Sequence, residues 1–300
     1  MPTLDMAEGQ VFWRLDSPTS GYGSITTEST SRDTLLFIHA GVADHTLWDD
    51  QVIYCTTKGW HCLRYDLFGY GKSIPSATYL AKDPRPPIRH HHHTAQVVEA
   101  LFGNGFGQRT PTNQKVIVVA LSRGANIAVD FALSRPELVL CAGGLGGFEI
   151  ANTSDEEAML AQVDEFMSRK DALNTAKMNV RIWGDGTQAK EGRMGENSKE
   201  KLFKWCKDIA EKELSGKGGD LPCENLQNPP AVERRSEIKV KTIVAIGKHG
   251  ESSTNAAMRY FAQHLPGAAV KEFEAAHMIN LDCPVEFNQW LGAYLAQFPQ

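Results

Sequence analysis

Apolar residues recur along this chain in two textures. In the first half, LLFIH (35–39), WHCLRYD (60–66), KVIVVAL (115–121) and LVLCAGGL (138–145) are short, continuous apolar runs. Continuity, rather than apolar–polar alternation, predicts strands buried on both faces. Between them HTAQVVEALF (93–102) and ANIAVDFALSRPEL (125–138) place apolar residues at helical spacing. Strand and helix in alternation predict an α/β architecture with a mostly parallel, doubly wound sheet.

After Gly147 the texture changes. Residues 155–173 carry Met159, Val163 and Phe166–Met167 at helical spacing, and 197–214 do the same with Leu202, Cys206, Ile209 and Leu214. Dense mixed charge surrounds them, without strand signals. TIVAIG (242–247) then predicts another buried strand, 255–264 a helix, VKEFE (270–274) a last strand and EFNQWLGAYLAQF a closing helix. The organisation expected is a core of residues 1–148 and 237–300, interrupted by a helical cap insertion at 149–236.

Composition narrows the function classes. With 31 basic against 36 acidic residues the net charge is −5, so no bulk field favours nucleic acid or an anionic membrane. The longest apolar runs are a third of a membrane span, and the N-terminal residues lack the basic and apolar stretches of a secretory signal. Six scattered cysteines without a C-x-x-C pair read as reduced thiols. The expectation is a soluble, cytoplasmic protein; the Asn152-Thr153-Ser154 sequon does not alter it.

The sharpest local feature is Ala120-Leu121-Ser122-Arg123-Gly124, directly after a strand and before a helix. A nucleophilic serine needs a tight strand-to-helix turn, and that turn demands small residues two positions either side. Ala120 and Gly124 meet this requirement, and the following helix aims its N-terminal dipole at the site. A serine here could instead merely cap the helix; the strand–helix context favours the nucleophile. A hydroxyl needs a base to take its proton. Of ten histidines His277, in EAAHMIN after the last predicted strand, stands where such a base is expected.

Four segments taken together resemble the α/β-hydrolase family over nearly the whole chain: LLFIHAGVADHTLWDDQV, RYDLFGYGKS, VVALSRGANIAVDFALSRPELV and AAHMINLDCPVEFNQWL. The resemblance implies the α/β-hydrolase fold with a variable cap, Ser122 as nucleophile and His277 as general base. It also implies an oxyanion hole from the N–H of Arg123 and that of Gly41, or of Val42 if the loop register differs by one. The third triad member departs from the pattern. After TIVAIG the family's Gly-x-x-Asp becomes Gly247-Lys248-His249-Gly250. Glu251, one residue on, is the preferred replacement; Glu149, approaching from the sixth strand, and no acid at all are the alternatives.

The remaining features carry less. His90–His93 offers an i, i+3 pair that could chelate a metal on a helix, but without a carboxylate or thiol cluster around it the tract is read as exposed and only adventitiously metal-binding, and no metal site is implied. Gly103–Gly107 and Gly143–Gly147 do not fit a dinucleotide fingerprint, and no cofactor is implied. His39, Asp44 and His45 do not form a dinuclear-hydrolase motif, His249 is expected at the surface, and Trp183-Gly184-Asp185-Gly186 either lines a pocket or turns the chain. The expected activity is cofactor-independent hydrolysis of a small ester, thioester or lactone, and the HAGVADH segment resembles enol-lactonase-like members of the family. The alternatives are a non-hydrolytic lyase, isomerase or cyclase on the same scaffold, motivated by the missing Asp, and a non-catalytic small-molecule binder.

Overall fold

The structure is a computed structural model that describes residues 3–18, 34–103, 115–143, 153–219, 221–222, 231, 233–265 and 267–298. Its strands are β1 (Thr3–Met6), β2 (Gly9–Asp16), β3 (Thr34–Ile38), β4 (His61–Tyr65), β5 (Ile74–Pro75), β6 (Val116–Ala120), β7 (Val139–Gly143), β8 (Lys241–Gly247) and β9 (Ala269–Phe273). They form one sheet in the order β1-β2-β4-β3-β6-β7-β8-β9, with β5 on the edge of β2. β1 and β2 pair antiparallel and β2 joins β4 antiparallel; every pairing from β4 to β9 is parallel.

The helices are α1 (Asp49–Thr57), α2 (Ala77–Leu80), α3 (His90–Gly103), α4 (Arg123–Ser134), α5 (Ser154–Ser168), α6 (Ala172–Asn179), α7 (Glu196–Leu214), α8 (Ser252–Gln263), α9 (Ile279–Asp282) and α10 (Pro284–Leu295). They cover both faces of the sheet, which explains the uninterrupted apolar runs. Along β3, Leu35 and Phe37 enter a core with α1 and α10, while Leu36 and Ile38 enter the opposite core with α3 and α4. β6 divides likewise, Ile117 and Val119 to one side and Val116, Val118 and Ala120 to the other. At about 25 cal/mol per Å² of apolar surface, a strand buried on both faces gains twice over, so polar alternation there would be costly.

The expected strands and main helices all form. The antiparallel strands β1 and β2 and the helices α1 and α6 went unread: β1, α1 and α6 are brief, and β2, eight residues long, mixes polar residues among Val11, Phe12, Trp13 and Leu15 without a continuous apolar run. Between β7 and β8 lie α5, α6, a π-helical turn (Val180–Asp185) and α7. Ala176, Val180, Met194, Leu202 and Cys206 from this segment join the α1/α10-side core, so these helices pack onto that side of the sheet. No described helix is long and apolar enough to cross a membrane.

The His90–His93 tract corrects one expectation. It opens α3, and His90, His91 and His93 are buried; His92 alone faces solvent. His93 packs edge-on to Phe68, ring centroids 5.5 Å apart, and its Nε2 lies 3.1 Å from Glu8. Burial, reinforced by His93, Arg123 and His39, holds His90 well below the ordinary imidazole value. A run of polar letters cannot reveal that three of the four rings are buried, His93 among them against Phe68 from the loop after β4 and Glu8 from the turn between β1 and β2.

Candidate active site

β6 ends at Ala120 and α4 begins at Arg123, leaving Leu121 and Ser122 to reverse the chain. Ser122 has φ 57° and ψ −124°, one of two described non-glycine residues at positive φ. Such backbone costs about 1–3 kcal/mol and persists only where its surroundings over-determine it. Here Leu121 N–H donates to Ile38 O at 3.3 Å, and Ala125 N–H to Ser122 O at 2.8 Å. A Cβ on Gly124 would lie 2.4 Å from Ile38 O and 2.6 Å from His39 O, so only glycine lets α4 approach β3 this closely. The Ser122 hydroxyl does not cap α4, which removes the simple capping explanation for this serine.

The loop after β3 lies against this elbow. A turn closed by Ala43 N–H to Ala40 O (3.1 Å) places Gly41 and Val42 at its centre, and a Cβ on Gly41 would come 3.1 Å from the Arg123 Nε. Arg123 donates to the Tyr70 hydroxyl at 2.6 Å. His39 locks the loop from beneath: Leu67 N–H donates to its Nε2 at 2.8 Å, so Nδ1 carries the proton and donates to Ala40 O at 2.7 Å. Complete burial lowers the His39 pKa, in keeping with a neutral ring that serves as a brace.

His277 follows β9, and its Nδ1 stands 3.4 Å from Glu251 Oε2, both side chains buried. Among the described residues the Glu251 oxygens have no hydrogen-bond partner, nor does the buried His277 Nε2. Glu251 immediately precedes α8, in an extended conformation, and does not cap it. Asn255 donates to Gly247 O (2.9 Å) and to Gly250 O (3.4 Å), shaping the turn that presents Glu251. Trp183 lies on the His277 ring, centroids 4.8 Å apart, and is held by its indole N–H to Asn179 (3.1 Å). The Trp183–Gly186 segment therefore both lines this histidine and turns the chain. Ile279 and Asn280 share with Leu121 and Ser122 a cavity of about 40 Å³, which brings the His277 segment to the elbow. Glu149 lies outside the described residues. His249 is half-exposed beside Glu274, 3.2 Å away.

Two groups escaped the sequence reading. Glu156 on α5 is buried and accepts from Thr153 N–H (2.8 Å), Thr187 (2.8 Å), Gln188 (3.1 Å) and Ser252 N–H (2.6 Å). Burial alone would raise its pKa, but hydrogen bonds from Thr153, Ser252 and Thr187 outweigh that and bring it to about 2. Its signal was in the letters: Thr153-x-x-Glu156 is a capping box, and it forms. Arg193 is the second. It donates to Gly184 O and Asp185 O and pairs with Asp282, whose carboxylate also accepts from Ala276 N–H at 3.1 Å.

Asp44, His45 and Asp66 bring potential metal-ligand atoms within 4.8 Å of one another. Their oxygens are already engaged: Asp66 accepts from His45 N–H, His45 Nδ1 and Lys72 N–H at 2.7 Å, and Asp44 from Thr46 N–H at 2.8 Å. Burial pushes the Asp66 carboxyl up, yet His45 and its other partners outweigh it and the net shift is downward. The cluster braces the start of the turn before α1 against the loop after β4.

Solved structures of similar architecture span the chain. The carboxylesterase CesB (YbfK) from Bacillus subtilis superposes with a TM-score of 0.68 at 16% identity, covering 99% of this chain and 91% of its own. The enol-lactonase from Burkholderia xenovorans LB400 gives 0.63 at 16%, covering 98% and 100%. Est816, described as an N-acyl homoserine lactone degrading enzyme, gives 0.63 at 17%, covering 98% and 100%. At these identities the likeness speaks to the fold. No curated protein sequence matches the chain significantly. A sequence model of the alpha/beta hydrolase fold matches residues 33–284, from the threshold of β3 to the first residue of α10, and with that span and this sheet order the chain belongs to the alpha/beta hydrolase family.

Proposed function

We propose that this protein is a cofactor-independent serine hydrolase of a small ester, thioester or lactone. Ser122 Oγ attacks the substrate carbonyl as His277 Nε2 takes its proton. The tetrahedral oxyanion is held by the N–H groups of Arg123 and of Gly41, each such donor worth about 3 kcal/mol to the transition state. Collapse expels the alcohol, thiol or ring oxygen, which receives the proton from His277. Water, deprotonated by the same imidazole, then releases the acid from Ser122. Glu251 orients His277 and stabilises the imidazolium. The insert at 149–236 acts as a helical cap, which favours small substrates over polymers.

The observation that carries this reading is the buried Glu251–His277 pair, a carboxylate 3.4 Å from Nδ1 that leaves Nε2 for the nucleophile. Lactonase and carboxylesterase neighbours support the substrate class. Treatment with a fluorophosphonate, followed by intact mass, should add one label per chain to the wild type and none to Ser122→Ala. A folded wild type that takes no label and turns over none of a panel of short esters and lactones would overturn the proposal.

A further inference from the structure

We propose that Glu156 is a positioning residue for the active site: by accepting the Ser252 N–H from the insert, it anchors the start of α8 and with it the turn that presents the Glu251 carboxylate to His277. This rests on the triad reading above. Glu251 occupies the position from which a side chain ordinarily caps a helix, with φ −61° and ψ 142°, yet it makes no capping bond. The N–H of Ser252, the first residue of α8, donates to Glu156 Oε1 at 2.6 Å, from an element 96 residues earlier in the chain. Gln188 strengthens the same junction, donating its side-chain amide to Ser252 Oγ at 3.1 Å and its backbone N–H to His249 O at 3.3 Å.

Two carboxylates thus divide two tasks at one turn. Without the Glu156–Ser252 bond, the start of α8 loses its anchor on the insert, and Glu251, one residue before Ser252, shifts with it relative to His277. Docking of the insert and placement of the acid are thereby one event. A displacement of about 1 Å in a catalytic group can cost on the order of a hundredfold in rate.

The test compares Glu156→Gln, Ser252→Pro, Glu251→Gln and the Glu156/Glu251 double variant. The readout is the rate of fluorophosphonate labelling, resolved into its maximal rate and its half-saturating concentration. The glutamine amide brings donors into a ring of donors. Proline removes the Ser252 N–H at a first-turn position where proline is tolerated, and Glu251 already has the extended backbone that proline requires of its predecessor. Glu156→Gln and Ser252→Pro should each lower the maximal rate by about 10- to 100-fold with the half-saturating concentration within about twofold. The double variant should be no slower than Glu251→Gln alone.

If Glu251→Gln is slow while Ser252→Pro and Glu156→Gln label at the wild-type rate, or if the two Glu effects multiply, the positioning role is wrong and the triad stands. If Glu251→Gln itself labels at the wild-type rate, the triad assignment fails, and the positioning role with it. Should Glu156→Gln not fold, Ser252→Pro alone decides.

Discussion

Replacing Glu156 with glutamine should change how stability depends on pH, by an amount set by the donors around it. The carboxyl is brought from an ordinary 4.5 to about 2 by hydrogen bonds that outweigh its burial. A carboxylate whose folded value lies below its unfolded value contributes stability that is fully present above the unfolded value and lost as the pH falls through the folded one. That difference corresponds to roughly 3 kcal/mol in all, of which roughly 2 kcal/mol is lost between about pH 7 and about pH 3. Glutamine does not titrate, so this pH dependence disappears in the variant. Urea unfolding followed by tryptophan fluorescence, on both proteins at both pH values, should show the stability gap narrowing by about 2 kcal/mol at the lower pH. Other carboxylates, Asp66 among them, are present in both proteins and cancel in the comparison. A gap equally wide at both pH values would refute the reasoning, because the loss would then stem from shape and not from the stabilised charge.

Other expectations follow from particular residues. Ser122→Gly should be more stable than Ser122→Ala by about 1 kcal/mol in urea unfolding, since only glycine relaxes at this positive φ; the reverse order would show the elbow to be unstrained. Gly124→Ala should push α4 off β3, because its Cβ would sit 2.4 Å from Ile38 O. We expect a loss of about 1–3 kcal/mol and slower fluorophosphonate labelling, and wild-type behaviour would contradict the close approach. Asp130 is buried on α4, and burial outweighs the attraction of Arg234 to raise its pKa to about 7. An acid with a raised folded pKa is destabilising once ionised, so Asp130→Asn should raise the melting temperature more at about pH 8 than at about pH 5. A gain independent of pH would contradict that origin.

Much of the site was legible as letters because its requirements are local. The tight turn at Ser122 needs small neighbours, a strand before it and a helix after it, and residues 116–134 carry all three. Glu251 was harder to read, since the usual position holds Gly250 and the choice among Glu251, Glu149 and no acid at all depended on geometry. The structure places Glu251 beside His277. The misread His90–His93 tract shows the opposite limit. Burial of a polar side chain depends on partners such as Phe68 and Glu8, which approach α3 from elsewhere in the chain.

By itself the sequence determined the order of the central strands and main helices, the two-faced burial of the central sheet and the tight strand-to-helix turn at Ser122. Each follows from interactions within a few residues or from hydrophobic periodicity along one element. Only the tertiary structure showed that Glu251 stands 3.4 Å from His277, that Trp183 packs against that ring, that His39 braces a loop, and that Glu156 accepts from the first N–H of a helix begun 96 residues later. Those are contacts between elements distant in the chain. Their geometry depends on how whole helices pack against the sheet, and no local pattern of residues encodes the direction in which a buried side chain will find its partner.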